Sequence, residues 1–332
     1  MKSKVFKAME ITETDDSIFE RKIVAKNIAD LPDGDLLIKV SYSSLNYKDA
    51  LSSSGNRGVT KNYPHTPGID AAGIVEKSNS DLFEIGDEVI VTGHDLGMNT
   101  AGGFGEYIRV PADWVVSLPE SLSLRESMIY GTAGFTAALS VNKILNSVVE
   151  PQDGEILVTG STGGVGSTAI SILSKLGYEV IAATGKLDEK EFLQSIGAKD
   201  IIDRKELDDA SGRAMLKGRW AGVIDTVGGN TLTTAIKSTK YGGSVTCCGN
   251  VSSPEFSSSI FPFILRGVSL FGIDSVQCPM KLRKEIWSNL ATAWKFDHLD
   301  KNVHEVTLEE LSERIDMMLN GKHVGRTIIK HG

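Results

Sequence analysis

The stretch Glu155-Ile156-Leu157-Val158-Thr159-Gly160-Ser161-Thr162-Gly163-Gly164-Val165-Gly166 decides how this chain folds. An apolar run of strand character leads straight into GxxGxxG. Behind it Val165, Ala169, Ile172, Leu173 and Leu176 fall on one helical face, and Gly177 ends the helix. Glycines let the backbone turn tightly and approach a pyrophosphate, whose charge the helix N-terminus stabilises. The bare motif carries little weight, but a strand before it and a helix behind it make it strong. Gly160, Gly163, Gly164, Val165 and Gly166 are therefore candidate cofactor contacts. The alternative is a glycine-rich packing turn without a ligand.

Downstream, the pattern alternates. Strands are predicted at 155–159, 178–183, 200–203, 222–226, 244–247 and 268–273, with helices between them. Six strands so spaced make a parallel, doubly wound sheet. The second strand ends in Thr184-Gly185-Lys186, where an NAD site would place Asp or Glu for the ribose hydroxyls, yet the first acid is Asp188. A hydroxyl and a lysine suit a 2′-phosphate instead, and Arg204 after the third strand adds a second cation. NADPH is favoured over NADH. The bland alternative is that Lys186 and Arg204 are solvated surface charges.

Upstream, from Val5 to Val116, short strand-like runs are broken by Gly, Pro, Asn and Asp, as in a small β-barrel or sandwich. Ser123-Leu124-Arg125-Glu126 reads as a capping box opening a helix that is interrupted near residues 131–134 and ends near Asn146. A final amphipathic helix at 308–319 precedes a strand at 326–330.

The 332 residues suggest about two domains, at ~150 residues each. With 41% hydrophobic and 23% charged residues, the chain can bury a full core. A net charge of −8 without a basic cluster disfavours nucleic acid and anionic membranes as partners. No stretch approaches the ~18 apolar residues that span a bilayer. Cys247, Cys248 and Cys278 have neither disulfide-scaffold nor CxxC spacing, which excludes a structural zinc site and fits a reducing compartment. The first two are expected to be buried packing residues of the fifth strand. Residues 1–20 are polar without an apolar signal region, so a cytoplasmic location is expected.

Three further segments, Asn46-Tyr47-Lys48-Asp49, Pro67-Gly68-Ile69-Asp70-Ala71-Ala72-Gly73 and Gly86-Asp87-Glu88-Val89, resemble the GroES-like catalytic domain of the medium-chain dehydrogenase/reductase superfamily. Within it, residues 43–49, 130–137, 262–267 and 272–275 resemble the zinc-free, quinone oxidoreductase-like branch and its acryloyl-CoA reductase group. The resemblance spans essentially the whole chain. It implies a GroES-like β-barrel domain (residues 1–124 and 276–332) with a Rossmann domain (125–275), and an active site in the cleft between them.

At the positions where zinc members carry their catalytic ligands, the resemblance places Asn46, Ile69 and Gly131, and these cannot bind Zn²⁺ as thiolate, imidazole or carboxylate would. No metal is expected. His65 and His94 read as loop or core histidines. The resemblance puts Thr184, Gly185, Lys186 and Arg204 at the 2′-phosphate, and Asn250, Ile264 and Ser275 beside the nicotinamide. Asn250 departs from the usual apolar residue there. Arg326 would return to the cofactor, or equally serve as a structural ion-pair partner.

Hydride transfer without a metal requires an already activated acceptor, such as an enoyl thioester, a quinone or a free enone. Tyr47 is the expected group at the nicotinamide, as orienter or proton donor. Asn46 is a candidate donor to an oxygen, and Lys48 and Asp49 would fix the loop. The same four residues could instead be only a capped turn into a helix. The expected function is NADPH-dependent reduction of acryloyl-CoA or a related enoyl-CoA. The alternatives are a quinone or enone reductase and a non-catalytic NADPH sensor. The sixth strand, at 268–273, is an apolar edge whose pairing with its own copy predicts a homodimer.

Overall fold

Short apolar runs can only be buried on both faces if other strands flank them and helices cover them, and Ile156–Thr159 is such a run, buried at every residue. The computed structural model describes residues 4–15 and 18–332. It divides into two units, one of Met1–Thr132, Val276–Ala291 and Asn302–Gly332, the other of Ala133–Ser275 and Thr292–Lys301. The division at 132/133 falls eight residues beyond the expected 124/125, and residues 292–301 go with the second unit.

In chain order the first unit holds β1 (Val5–Glu13), β2 (Phe19–Asn27), β3 (Leu36–Ser44), α1 (Tyr47–Ser52), β4 (Asp70–Ser78), β5 (Glu88–Thr92), β6 (Tyr107–Val110) and β7 (Val115–Ser117). Helix α2 (Leu124–Leu145) follows, opened by the expected reciprocal cap. The Ser123 amide donates to Glu126 Oε2 (2.9 Å) and the Glu126 amide to Ser123 Oγ (3.1 Å).

The second unit continues with β8 (Ile156–Thr159), α3 (Gly164–Lys175), β9 (Val180–Thr184), α4 (Lys190–Ser195), β10 (Asp200–Asp203), β11 (Trp220–Asp225), α5 (Gly229–Lys237), β12 (Thr239–Cys247), α6 (Phe261–Arg266) and β13 (Ser269–Gly272). The chain closes with α7 (Met280–Ala291), β14 (Val303–Val306), α8 (Leu311–Leu319) and β15 (Arg326–Lys330).

In the first unit β1 and β2 pair as a hairpin, and a seven-stranded sheet runs β14-β15-β3-β4-β5-β7, with β6 also on β3. Leu36, Ile38 and Val40 alternate inward from β3 and meet Ala71, Val75, Val89 and Val91, forming the barrel core. In the second unit six parallel strands run β10-β9-β8-β11-β12-β13. Crossovers leave β8 in opposite directions, which makes the carboxyl ends of β8 and β11 the place where an open α/β sheet takes its ligand.

The expected strands match within about two residues, except that β12 begins five residues early, at Thr239. Gly242 and Gly243 read as a stop. The strand instead absorbs them, shifting register between Trp220↔Thr239 and Gly222↔Ser244, with Gly242 at φ 73°.

Candidate functional site

Two clusters gather the expected residues, one in each unit. In the second unit Gly160 follows β8 at φ 59°, where an added Cβ would lie 2.2 Å from Thr226 Oγ1. Gly163 is the extended N-cap of α3. Gly166 lets the helix pack on the turn, since a Cβ there would meet the Gly160 carbonyl oxygen at 2.6 Å. By contrast, a Cβ on Gly163 would meet only that same oxygen, at 3.3 Å. Gly164 and the half-buried Val165 open the helix. The turn is thus tight against protein on its inner side, with amides at a helix N-terminus: a cradle that fits a dinucleotide pyrophosphate.

The sequence reading missed what holds this turn. Asp225, wholly buried at the end of β11, accepts from Thr159 Oγ1 (2.8 Å) and from the Gly228 amide (2.8 Å). Thr226 answers from the same strand end, its hydroxyl donating to the Thr159 carbonyl (2.9 Å) and its amide to Thr159 Oγ1 (2.9 Å). Burial pushes the Asp225 carboxyl up while these donors pull it down. The signal was available in Asp225-Thr226-Val227-Gly228-Gly229, an acid closing an apolar strand before two glycines.

At the end of β9 the Thr184 hydroxyl caps the Lys186 amide (3.0 Å). Thr184 pairs in register with Asp203 of β10, which brings Arg204 against Gly185, so that a Cβ on Gly185 would lie 2.8 Å from Arg204 Nε. Arg204 is exposed, and Lys186 is half-buried with its ammonium pushed down by desolvation. Two cationic residues thus flank Gly185, and the end of β9 itself, Thr184-Gly185-Lys186, carries no acid, which suits a phosphate better than a ribose diol. Asn250 is exposed just past β12, Ile264 lies on α6 with 64% exposure, and Ser275 follows β13 half-buried. Cys247 and Cys248 are half-buried, a correction to the expected burial, because they stand at and beyond the end of β12. Burial pushes the Cys248 thiol up to about 12, so it stays protonated and unreactive.

The second cluster, in the first unit, surrounds the end of β3. Asn46 is the N-cap of α1, and its amide N–H donates to Asp49 Oδ2 (2.8 Å). Asp49 also accepts from the amides of Gly68 (3.1 Å) and Ile69 (2.8 Å), tying α1 to the Pro67–Asp70 turn. Burial and the neighbouring Asp70 charge outweigh these donors and push the Asp49 carboxyl up to about 7.

The Asn46 side-chain NH₂ donates to Asp70 Oδ2 (2.7 Å) and to Asp49 Oδ2 (3.3 Å), and its Oδ1 accepts from Arg326 (3.4 Å). Both amide hydrogens are engaged inside the protein, and Asn46 stands as the N-cap of α1. The capped-turn reading of Asn46–Asp49 is therefore correct as local structure. Asp49 is likewise an organiser of that turn. Tyr47 differs: the first residue of α1, it is 41% exposed beside a half-buried Lys48. Arg326, expected at the cofactor, is 6% exposed, and its donors go to the β3 end and to α2.

The positions matched to zinc ligands converge on this cluster but supply no ligand set. Asn46 offers an engaged amide, Ile69 a buried alkyl chain, and Gly131 no side chain. A Cβ at Gly131 would lie 2.4–2.8 Å from Ser44 Oγ, Asp70 Oδ2 and Arg326 Nη2. Among the described residues no group of three His, Cys, Asp or Glu is placed to hold a metal ion. The donor set does not fit Zn²⁺.

Comparison with known proteins places both units in known families. Residues 32–120 match the alcohol dehydrogenase GroES-like domain family, and residues 164–292 match the zinc-binding dehydrogenase family. The chain is 44% identical over 331 residues to the putative quinone oxidoreductase YhfP of Bacillus subtilis, covering 99% of each. It is 43% identical over 300 residues to the probable acrylyl-CoA reductase AcuI of Escherichia coli, covering 90% of this chain and 92% of that one. The crystal structure of the yhdH oxidoreductase from Salmonella enterica in complex with NADP superposes with a TM-score of 0.95 at 40% identity, over 98% of this chain and 100% of the other. That of Bacillus subtilis yhfP with NAD bound gives 0.96 at 43%, over 99% and 100%.

Proposed function

Since the chain belongs to the medium-chain dehydrogenase/reductase superfamily, we propose that it is an NADPH-dependent, zinc-free reductase acting on a conjugated carbon–carbon double bond. The substrate we assign is acryloyl-CoA or a related short enoyl-CoA, supported by 43% identity to the relative named probable acrylyl-CoA reductase. The observation that carries the cofactor choice is the packing of Arg204 against Gly185 beside Lys186, where the end of β9 itself supplies a hydroxyl and a lysine and no acid.

In this reading the Gly160–Gly166 turn holds the pyrophosphate, and Lys186 and Arg204 hold the 2′-phosphate. When bound, NADPH supplies the hydride that adds at Cβ of the acceptor. Tyr47 presents its hydroxyl to the developing enolate oxygen or to Cα, as hydrogen-bond or proton donor. Asn46, Asp49 and Asp70 hold the turn from which Tyr47 projects.

A second reading, reduction of quinones by the same donor, is favoured by 44% identity to the relative named putative quinone oxidoreductase. Two further expectations belong to the proposal. The half-buried edge strand β13 and the neighbouring Ile260 (67% exposed) and Leu265 (56%) suit pairing with a second copy. Three free cysteines suit a reducing, cytoplasmic setting, and no described helix is long and apolar enough to cross a membrane.

The test is kcat/KM for acryloyl-CoA and for a small quinone, each with NADPH and NADH. A value at least tenfold higher for acryloyl-CoA with NADPH is expected. A preference for the quinone would install the second reading, and NADPH binding without turnover of any acceptor would make the protein a sensor.

A further inference from the structure

Helix α2 breaks at Gly131, where φ is 50° and ψ −156°, and a break inside a helix strands the backbone groups on either side of it. Three of these groups find partners in the cluster. The Thr132 amide, which an unbroken helix would direct at the Met128 carbonyl, donates to Asp70 Oδ2 (2.9 Å), and the Thr132 hydroxyl donates to Asp70 Oδ1 (2.5 Å). The carbonyls before the break face Arg326, whose Nε reaches Ile129 O at 2.8 Å and whose Nη2 reaches Met128 O at 3.5 Å.

The remaining donors of the same guanidinium go the other way. Nη2 donates to Ser44 Oγ (2.8 Å), and Nη1 to Leu45 O (3.3 Å) and to Asn46 Oδ1 (3.4 Å). A guanidinium has five N–H donors in a fixed plane, and five acceptors are present here. Ser44 Oγ passes its own hydrogen to Asp70 Oδ2, so the cation and the carboxylate are joined through one hydroxyl. The cluster sits where the zinc-ligand positions converge, and there the Arg326 guanidinium brings the positive charge opposite Asp70.

We propose that Arg326 and Asp70 are positioning residues. Together they couple the broken helix α2 to the N-cap of α1 and so fix the direction in which Tyr47 leaves the turn. A planar fork is needed to hold all five acceptors at once, because they are spread over three separate nitrogens and one ammonium offers a single nitrogen with three donors. The kinetic consequence rests on the reading of Tyr47 given above. The mechanical one rests on geometry alone.

Arg326→Lys keeps the charge and removes the fork. It should lower kcat at least tenfold, while the acceptor KM and the NADPH Kd change less than threefold. Hydrogen exchange of the amides in Tyr47–Ser52 should quicken at least tenfold, with those of β8 and α3 unchanged. Added to Tyr47→Phe, the substitution should lower kcat less than threefold further, since the hydroxyl through which it acts is already gone. A full additional loss would overturn the proposal. So would a tenfold weakening of NADPH binding, which would make Arg326 a cofactor contact.

If Arg326→Lys does not fold, Asp70→Asn serves in its place, with the same expected exchange and the same kcat loss. If the wild type turns over no acceptor, the proposed activity fails on its own, and exchange alone decides. Unchanged protection in Tyr47–Ser52 would then refute the positioning role.

Discussion

Single side chains divide into those that meet a ligand and those that hold others in place, and the two kinds respond differently to substitution. In the function proposed above, Lys186 is of the first kind. Lys186→Ala removes one charge-assisted hydrogen bond, of about 1.5–3 kcal/mol, and should weaken NADPH on the order of 10- to 100-fold while leaving NADH nearly unchanged. A fluorescence titration of both cofactors reads this directly, and equal weakening would make Lys186 structural. Asp49 belongs to the second kind. Its carboxyl stands at about 7 in the folded protein against an ordinary 3.8. Because the folded value is the higher one, its contribution to stability is fully present below pH ~4 and is lost as pH rises to about 7, by up to about 1.4 kcal/mol per pH unit. Relative to Asp49→Asn, the wild type should therefore lose stability across that window. Urea unfolding of both proteins between pH 4.5 and 8 measures the difference, and a difference independent of pH would mean that Asp49 stays ionised throughout.

Among the elements, the unit from β8 to β13 was legible in the sequence because each buried parallel strand is a short apolar run and the glycine turn marks the first of them. The reciprocal cap at Ser123 and the last strand, Arg326–Lys330, were equally plain. Strand β14 and helix α7 were not foreseen: β14 is a four-residue strand with no fully buried residue, and α7 mixes charge with apolar residues along its length. The network around Asn46 was illegible for a different reason. Its members, Ser44 with Asn46, Asp70, Thr132 and Arg326, come from four separate places in the chain, and only the fold brings them together. Sequence could mark Gly131 as an interruption, but not what fills the space beside it. Gly131→Ala would have to adopt a backbone conformation costing about 1–3 kcal/mol and also displace Ser44 and Asp70, at a further ~1–3 kcal/mol. Gly177→Ala is the control, with φ 85° but nothing within 4 Å of the new Cβ. In urea unfolding the first variant should lose clearly more stability than the second. Equal losses would mean that backbone strain alone matters and that the cluster tolerates a methyl group.

For the whole molecule, the expected assembly can be tested without touching either cluster. Ile260→Glu with Leu265→Glu places two charges on the exposed surface next to β13. Sedimentation velocity should give a dimer for the wild type and a monomer for this variant. A wild-type monomer at micromolar concentration would remove the assembly from the proposal. The second unit is built from one continuous stretch, with only residues 292–301 added, whereas the first unit joins Asp70 to a cation made about 250 residues later. At about 5–20 residues per second, a ribosome leaves that carboxylate without its counter-ion for on the order of 10–50 s. During synthesis the nucleotide-binding half can therefore mature first. The half that carries Tyr47 can complete its sheet only once β15 has been made and can pair with β3.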